Sequence, residues 1–119
     1  MSMSTVMNSL LDRLGDFSDR QWQMFSKGVE VSWFYSNGKN GPASALLRYE
    51  PGASVPLHWH RGYEHIFVLE GSQSDDNGLY QAGSLLISPP GSSHAITSLE
   101  GCIVLAVWQV PVSLKKKKK

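Results

Sequence analysis

After Lys27 the chain becomes a succession of short segments rich in β-branched, aromatic and aliphatic residues: VEVSWFY, ASALLRYE, SVPLHWH, EHIFVLEG, SLLISP, HAITSL and CIVLAVWQV. Turn-forming residues close them, namely Ser36-Asn37-Gly38, Asn40-Gly41-Pro42, Pro51-Gly52, Arg61-Gly62, Asp76-Asn77-Gly78, Pro89-Pro90-Gly91 and Glu100-Gly101. Runs of this length and composition suit the pleated, half-buried surface of a strand, and so many of them at short spacing point to an all-β barrel or sandwich. Helical spacing occurs once, in TVMNSLLDRL (5–14), where Val6, Leu10 and Leu14 recur every four residues and predict a short N-terminal helix. With 119 residues, 41% of them hydrophobic, the chain has room for one domain and one core. The expected layout is a helical or extended arm over 1–27, the β domain over 28–112 and a disordered lysine-rich tail over 113–119.

The formal net charge of +1 hides an asymmetry, because five of the eleven basic residues form the run Lys115 to Lys119. Without it, six Lys and Arg face ten Asp and Glu, leaving the body at −4. A mildly acidic body argues against a broad nucleic-acid surface. The first residues, MSMSTVMNSLLDRLGDF, lack the apolar run of a secretory signal, and nowhere does an apolar segment approach bilayer-spanning length. The single cysteine, Cys102, excludes an intrachain disulfide and reads as a small buried hydrophobe. These features predict a soluble cytoplasmic protein with neither a nucleic-acid nor a membrane partner.

The chemistry concentrates in PGASVPLHWHRGYEHIFVLEG, residues 51–71. Side chains alternate along a strand, so His58 and His60 project to one side and Trp59 to the other. A reversal at Arg61-Gly62 brings Glu64 back across from this pair, with Ile66 and Val68 on its face. Neutral imidazoles and a carboxylate at close quarters call for a metal ion, which accepts the nitrogen lone pairs and neutralises the carboxylate. Three ligands leave a fourth to be found downstream, and in GSLLISPPGSSHAITS a Pro-Pro-Gly turn leads into His94 at the start of a new strand.

Together these residues resemble the cupins, whose signatures read G-x5-H-x-H-x3-E-x6-G and G-x5-P-x-G-x2-H-x3-N. Gly52, His58, His60, Glu64 and Gly71 meet the first in full. Gly83, Pro89, Gly91 and His94 meet the second, with Ser98 in place of the usual asparagine. That asparagine is not a ligand in the family, so the departure bears on local hydrogen bonding alone. The resemblance covers about residues 28–110 and implies a double-stranded β-helix, or jelly roll, with His58, His60, Glu64 and His94 holding one divalent ion inside. More narrowly, LEGSQSDDNGLYQAGSLLISPPGSSHAITSLEGC is similar to the ChrR-type branch, in which a zinc-carrying cupin domain follows an anti-sigma domain with its own His/Cys zinc site. Here the first histidine is His58 and the only cysteine Cys102, so the metal-loaded cupin module carries over and the anti-sigma domain does not.

Six-coordinate Fe or Mn on four protein ligands keeps up to two positions for water, oxygen or a bidentate substrate, whereas four-coordinate Zn is closed; recombinant protein can also carry Ni. The reading is therefore a dioxygenase acting on a small oxygen-rich or diketone-like substrate, with a non-catalytic sensor or small-molecule-binding module of the ChrR kind as the alternative. No acid or base beyond Glu64 stands out, since Glu50 and Glu70 lie near strand ends, and this weighs against oxalate decarboxylation. His65 faces away from the cluster, and Asp75-Asp76-Asn77-Gly78 reads as a hairpin turn rather than a calcium loop. Trp33, Trp59 and Trp108 are expected to pack core or dimer surface, while Tyr49 and Tyr63 are candidate donors behind the ligands. Exposed sheet edges and the cupin resemblance together imply a homodimer.

Overall fold

A computed structural model describes residues 3–112 and Leu114. The lysine run lies outside the described residues. The strands are β1 (Gln23–Ser26), β2 (Val29–Ser36), β3 (Ala43–Tyr49), β4 (Ala53–Trp59), β5 (Glu64–Asp75), β6 (Gly78–Gln81), β7 (Leu85–Ser88), β8 (Ser93–Ser98) and β9 (Cys102–Trp108). They pair antiparallel throughout, in the order β1-β2-β3-β9-β5-β8-β4 with β6 and β7 also on β5, and wrap into a nearly closed jelly-roll barrel. Among the described residues no helix is long and apolar enough to cross a membrane.

The expected N-terminal helix contracts to one 3-10 turn, Leu10–Arg13. Ser9 precedes it in the left-handed region at φ 54° and caps no backbone amide, so the helical pattern cannot extend back towards Val6, which is exposed. Downstream of the turn, Phe17 docks with Leu46, Leu69 and Ile103 on the outside of the barrel, with Leu10, Leu14 and Trp22 packed around them. Arg20 ties this segment to β2 through Ser32 Oγ at 2.7 Å and the Trp33 carbonyl at 3.1 Å.

Inside the barrel, Val29, Val31, Ala45, Leu47, Val55, Ile66, Val68, Ile96, Val104 and Ala106 form the main core. Each buried Val, Leu or Ile contributes about 1.5–3 kcal/mol. Cys102 belongs to this core as a free thiol, and burial, the largest influence on it, pushes its pKa up to about 11.

β5 is the element that shapes the interior. Its first half pairs with β9 and β7, its second half pairs with β6 and meets β8 at Ser74 and Thr97, and a register shift separates the halves between Val68 and Glu70. Such a bulge bends the strand and reverses which residues face inward. Glu64, Ile66 and Val68 face the interior before it; Gln73 and Asp75 do so after it. Gly71 sits at this bend with φ 75°, where a Cβ would run into the Gly101 carbonyl oxygen, so the last glycine of the first signature answers to backbone geometry.

Candidate metal centre

His58 is the second-last residue of β4 and the direct cross-strand partner of His94 on β8. His60 lies just past the end of β4, where its own amide donates to the Ser92 carbonyl and its carbonyl accepts from the Gly91 amide. The turn before His94 thus also fixes His60. Glu64 opens β5. The four residues each offer one ligand atom, and these atoms all lie within 4.8 Å of one another. The imidazole rings meet edge to face, with centroids 4.6 to 5.1 Å apart. His58, His60 and Glu64 are buried and His94 nearly so. As expected from alternation, Trp59 faces outward, and His65 is exposed and outside the cluster.

The surroundings decide which nitrogens point inward. His58 Nδ1 lies 2.9 Å from the Pro56 carbonyl, which can only accept, so this nitrogen carries the proton. His60 Nδ1 lies 2.9 Å from Ser92 Oγ, whose own hydrogen is given to the Pro89 carbonyl at 2.6 Å; the hydroxyl therefore accepts from His60. His94 Nδ1 faces the Asp75 carboxylate at 3.5 Å, which favours the same tautomer. With Nδ1 protonated, each Nε2 turns a lone pair inward, where Glu64 Oε1 stands 3.1 Å from His60 Nε2 and 3.5 Å from His94 Nε2. His60 Nε2 and Glu64 Oε1 have no hydrogen-bond partner despite that approach. Burying such acceptors against one another is unfavourable unless a cation lies between them. The donor set fits a divalent ion of the Fe, Mn or Zn type.

Glu64 is held from its other side by Trp108, its cross-strand partner on β9, whose indole N–H donates to Oε2 at 2.7 Å. Without an ion, burial works to raise the Glu64 pKa, but His60 and His94, when a proton on Nε2 lets them donate to the carboxylate, and the Trp108 bond override it and hold the carboxyl well below its ordinary range. Burial lowers the His58 pKa, against the Pro56 contact, and so favours the neutral ring that a metal requires. Asp75 accepts from the Tyr80 hydroxyl at 2.7 Å and from the Asn77 amide at 2.8 Å, so the hairpin turn read from the sequence also positions a carboxylate behind His94. Ser98, in the usual asparagine position, is fully buried and donates to the Ser72 carbonyl at 2.6 Å.

The cluster forms part of the wall of a small interior cavity. Leu47, Val55, Ile66 and Ile96 supply most of the remaining wall, together with Tyr49 and Gln73. Of the two tyrosines singled out in the sequence, Tyr49 is buried here and Tyr63 is half exposed at the surface. Trp108, Asp75, Ser92 and Gln73 carried no signal as site residues, since each depends on cross-strand register, a turn or the β5 bulge.

Residues 11–113 match the family of ChrR cupin-like domains. The chain belongs to that family. Among curated proteins it is similar to the anti-sigma-E factor ChrR of Cereibacter sphaeroides, with 32% identity over 97 residues covering 79% of this chain and 44% of the relative. The ChrR-like cupin therefore spans less than half the length of that protein. Among solved structures, Rhodobacter sphaeroides SigE in complex with the anti-sigma ChrR matches with TM-score 0.70 and 29% identity, covering 83% of this chain and 54% of the other. A putative acetylacetone dioxygenase from Methylibium petroleiphilum matches with TM-score 0.74 over 98% of this chain and 86% of the other. At 15% identity that likeness is one of fold alone.

Proposed function

We propose that His58, His60, Glu64 and His94 hold one divalent ion and that this ChrR-like cupin is an oxygenase for a small oxygen-rich or diketone-like substrate. The observation that carries the reading is the convergence of three imidazole nitrogens and a carboxylate oxygen, two of these atoms buried without partners, beside an otherwise mostly apolar cavity. Fe or Mn bound there would supply Lewis-acid and one-electron chemistry, which oxygen activation needs. The protein's own residues do the rest. Pro56, Ser92 and Asp75 accept at the Nδ1 atoms and so aim the imidazoles, Trp108 fixes the carboxylate, and Leu47, Val55, Ile66 and Ile96 exclude bulk water. Asp75 beside His94 Nδ1 is the carboxylate best placed to hold a proton at that ring.

A second reading, a non-catalytic module that senses a small molecule or oxidant, is favoured by the 32% identity to ChrR. Oxygen uptake by Fe- or Mn-loaded protein in the presence of acetylacetone and related diketones separates the two. Substrate-dependent uptake is expected. Tightly held Zn with no uptake on any metal or candidate substrate would overturn the oxygenase and leave the sensor.

We further propose a homodimer. The rows Ile87–His65–Val107 and Leu85–Phe67–Leu105 cross β7, β5 and β9 on the outside of the barrel, with Leu85 and Ile87 each 57% exposed. A second copy of the chain would cover this strip, and a monomer by light scattering at micromolar concentration would contradict it. The lone buried thiol suits the cytoplasm as the proposed compartment.

A further inference from the structure

Gln73 is the buried polar group that the metal reading leaves unexplained. It is 1% exposed, it lines the cavity shared with His58, Glu64 and His94, and its Oε1 has no hydrogen-bond partner. Strand alternation counted from Glu64 would put it on the outer face; the bulge between Val68 and Glu70 turns it inward. A leucine or methionine would fill the same space without a buried unpaired carbonyl, so the carboxamide is not explained by packing. Around it the wall is chiefly aliphatic and aromatic, with Tyr49 the other hydrogen-bonding side chain outside the metal cluster and its Trp108 support.

Building on the metal reading above, we propose that Gln73 is the specificity-determining contact of this site, accepting a hydrogen bond through Oε1 from a hydroxyl of a ligand whose oxygens face the ion. The ligand class that follows is a compact hydroxy acid or enol: oxygens at one end for the metal, one donor for Gln73, and little bulk, because the cavity is small. A ligand of the same shape without that donor leaves Oε1 unpaired and binds more weakly, as sites built around a hydrogen bond reject analogues that lack it.

The test uses the full chain loaded with Mn or Ni, Gln73→Met as a near-isosteric variant, and Gln73→Leu as a second in case the first does not fold. Glycolate and methoxyacetate are titrated calorimetrically; both offer a carboxylate and an α-oxygen, but only glycolate retains a hydroxyl. Wild-type protein is expected to prefer glycolate, and the preference to shrink about fivefold in the variant, the worth of one neutral hydrogen bond. Comparing the ratio between proteins cancels the difference in size between the two acids. Metal content is expected to remain at one ion per chain and the melting temperature to stay level or rise. An unchanged ratio, or fully loaded wild type that binds neither acid, overturns the proposal. Loss of metal or a melting temperature several degrees lower in both variants also overturns it, by making Gln73 a ligand or a structural residue. Wild-type protein that takes up no metal at all sinks the metal reading beneath it, an outcome separate from the others.

Discussion

Strands β3, β9 and β5 have two faces that solve opposite problems. Outside, Leu46, Leu69 and Ile103 lie under Phe17, with Trp22 beside them, and every contact is of the kind that favours folding. Inside, the same strands carry Glu64 and Trp108 into a group of imidazoles whose lone pairs oppose one another, beside a glutamine carbonyl with no partner. The outer face stabilises the barrel whether or not an ion is bound. The polar cluster on the inner face, set into the aliphatic core, is unfavourable until an ion completes it. The contrast teaches that the outer apolar patch and the inner polar cluster answer to different demands, and substitutions in the two should therefore differ in whether metal changes their effect.

The largest effect is expected from His94→Ala. Metal content should fall below about a tenth of wild type, and with it the rise in melting temperature that metal gives a protein whose folded state alone binds it. In excess chelator the variant and wild type should melt within a few degrees of each other; full metal occupancy by elemental analysis would remove His94 from the ligand set. Next comes Leu46→Ala on the outer side, where Leu46 is fully buried. It should cost about 2–5 kcal/mol in urea unfolding. The cost should be the same with and without metal, and a metal-dependent cost would show that the faces are not independent.

Trp108→Phe sharpens the comparison, because it keeps an aromatic ring against Phe25 and Trp33 while removing the bond to Glu64. Metal affinity should weaken about 10- to 100-fold, the usual effect of losing a group that orients a ligand. A competition titration with a chromophoric chelator would measure it, and wild-type affinity would show that the indole serves packing alone. The smallest effect is that of pH on metal-free protein. Glu64 has a folded pKa below its ordinary value, so its contribution is present above about pH 4.5 and is lost as the pH falls towards the folded value. The lowered His58 pKa acts in the same direction, its contribution being present above about pH 6.5 and lost on acidification below that. Melting temperature should fall as the pH drops below about 6.5 through His58 and fall further below about pH 4.5 through Glu64, whereas a rise would reverse the assigned directions.

The faces also differ in how much of them can be read from sequence. His58, His60, Glu64 and His94 stand at spacings that strand alternation and a Pro-Gly turn make meaningful, and the structure brings the same four together. The strands beginning at Val29, Ala43, Ala53, Glu64, Leu85, Ser93 and Cys102 follow the β-rich segments closely, since each is bounded by turn chemistry. β1 and β6 were missed because four residues of QMFS or GLYQ carry too little pattern to register. Gln73 and Asp75 were hidden for a different reason: one bulge reverses the alternation on which any inward-facing assignment depends. Trp108 read as core, and only its pairing with Glu64, 44 residues away, turns it into a support for the site. Local periodicity is written in the chain, but cross-strand register is a property of the closed barrel.

Anomalous diffraction at the metal edge, from crystals of protein purified without chelator, tests the central claim most directly. One peak per chain is expected, bonded to imidazole nitrogens of His58, His60 and His94 and to a carboxylate oxygen of Glu64 at about 2.0–2.2 Å. An interior without a peak, or a peak held by other residues, would contradict the account.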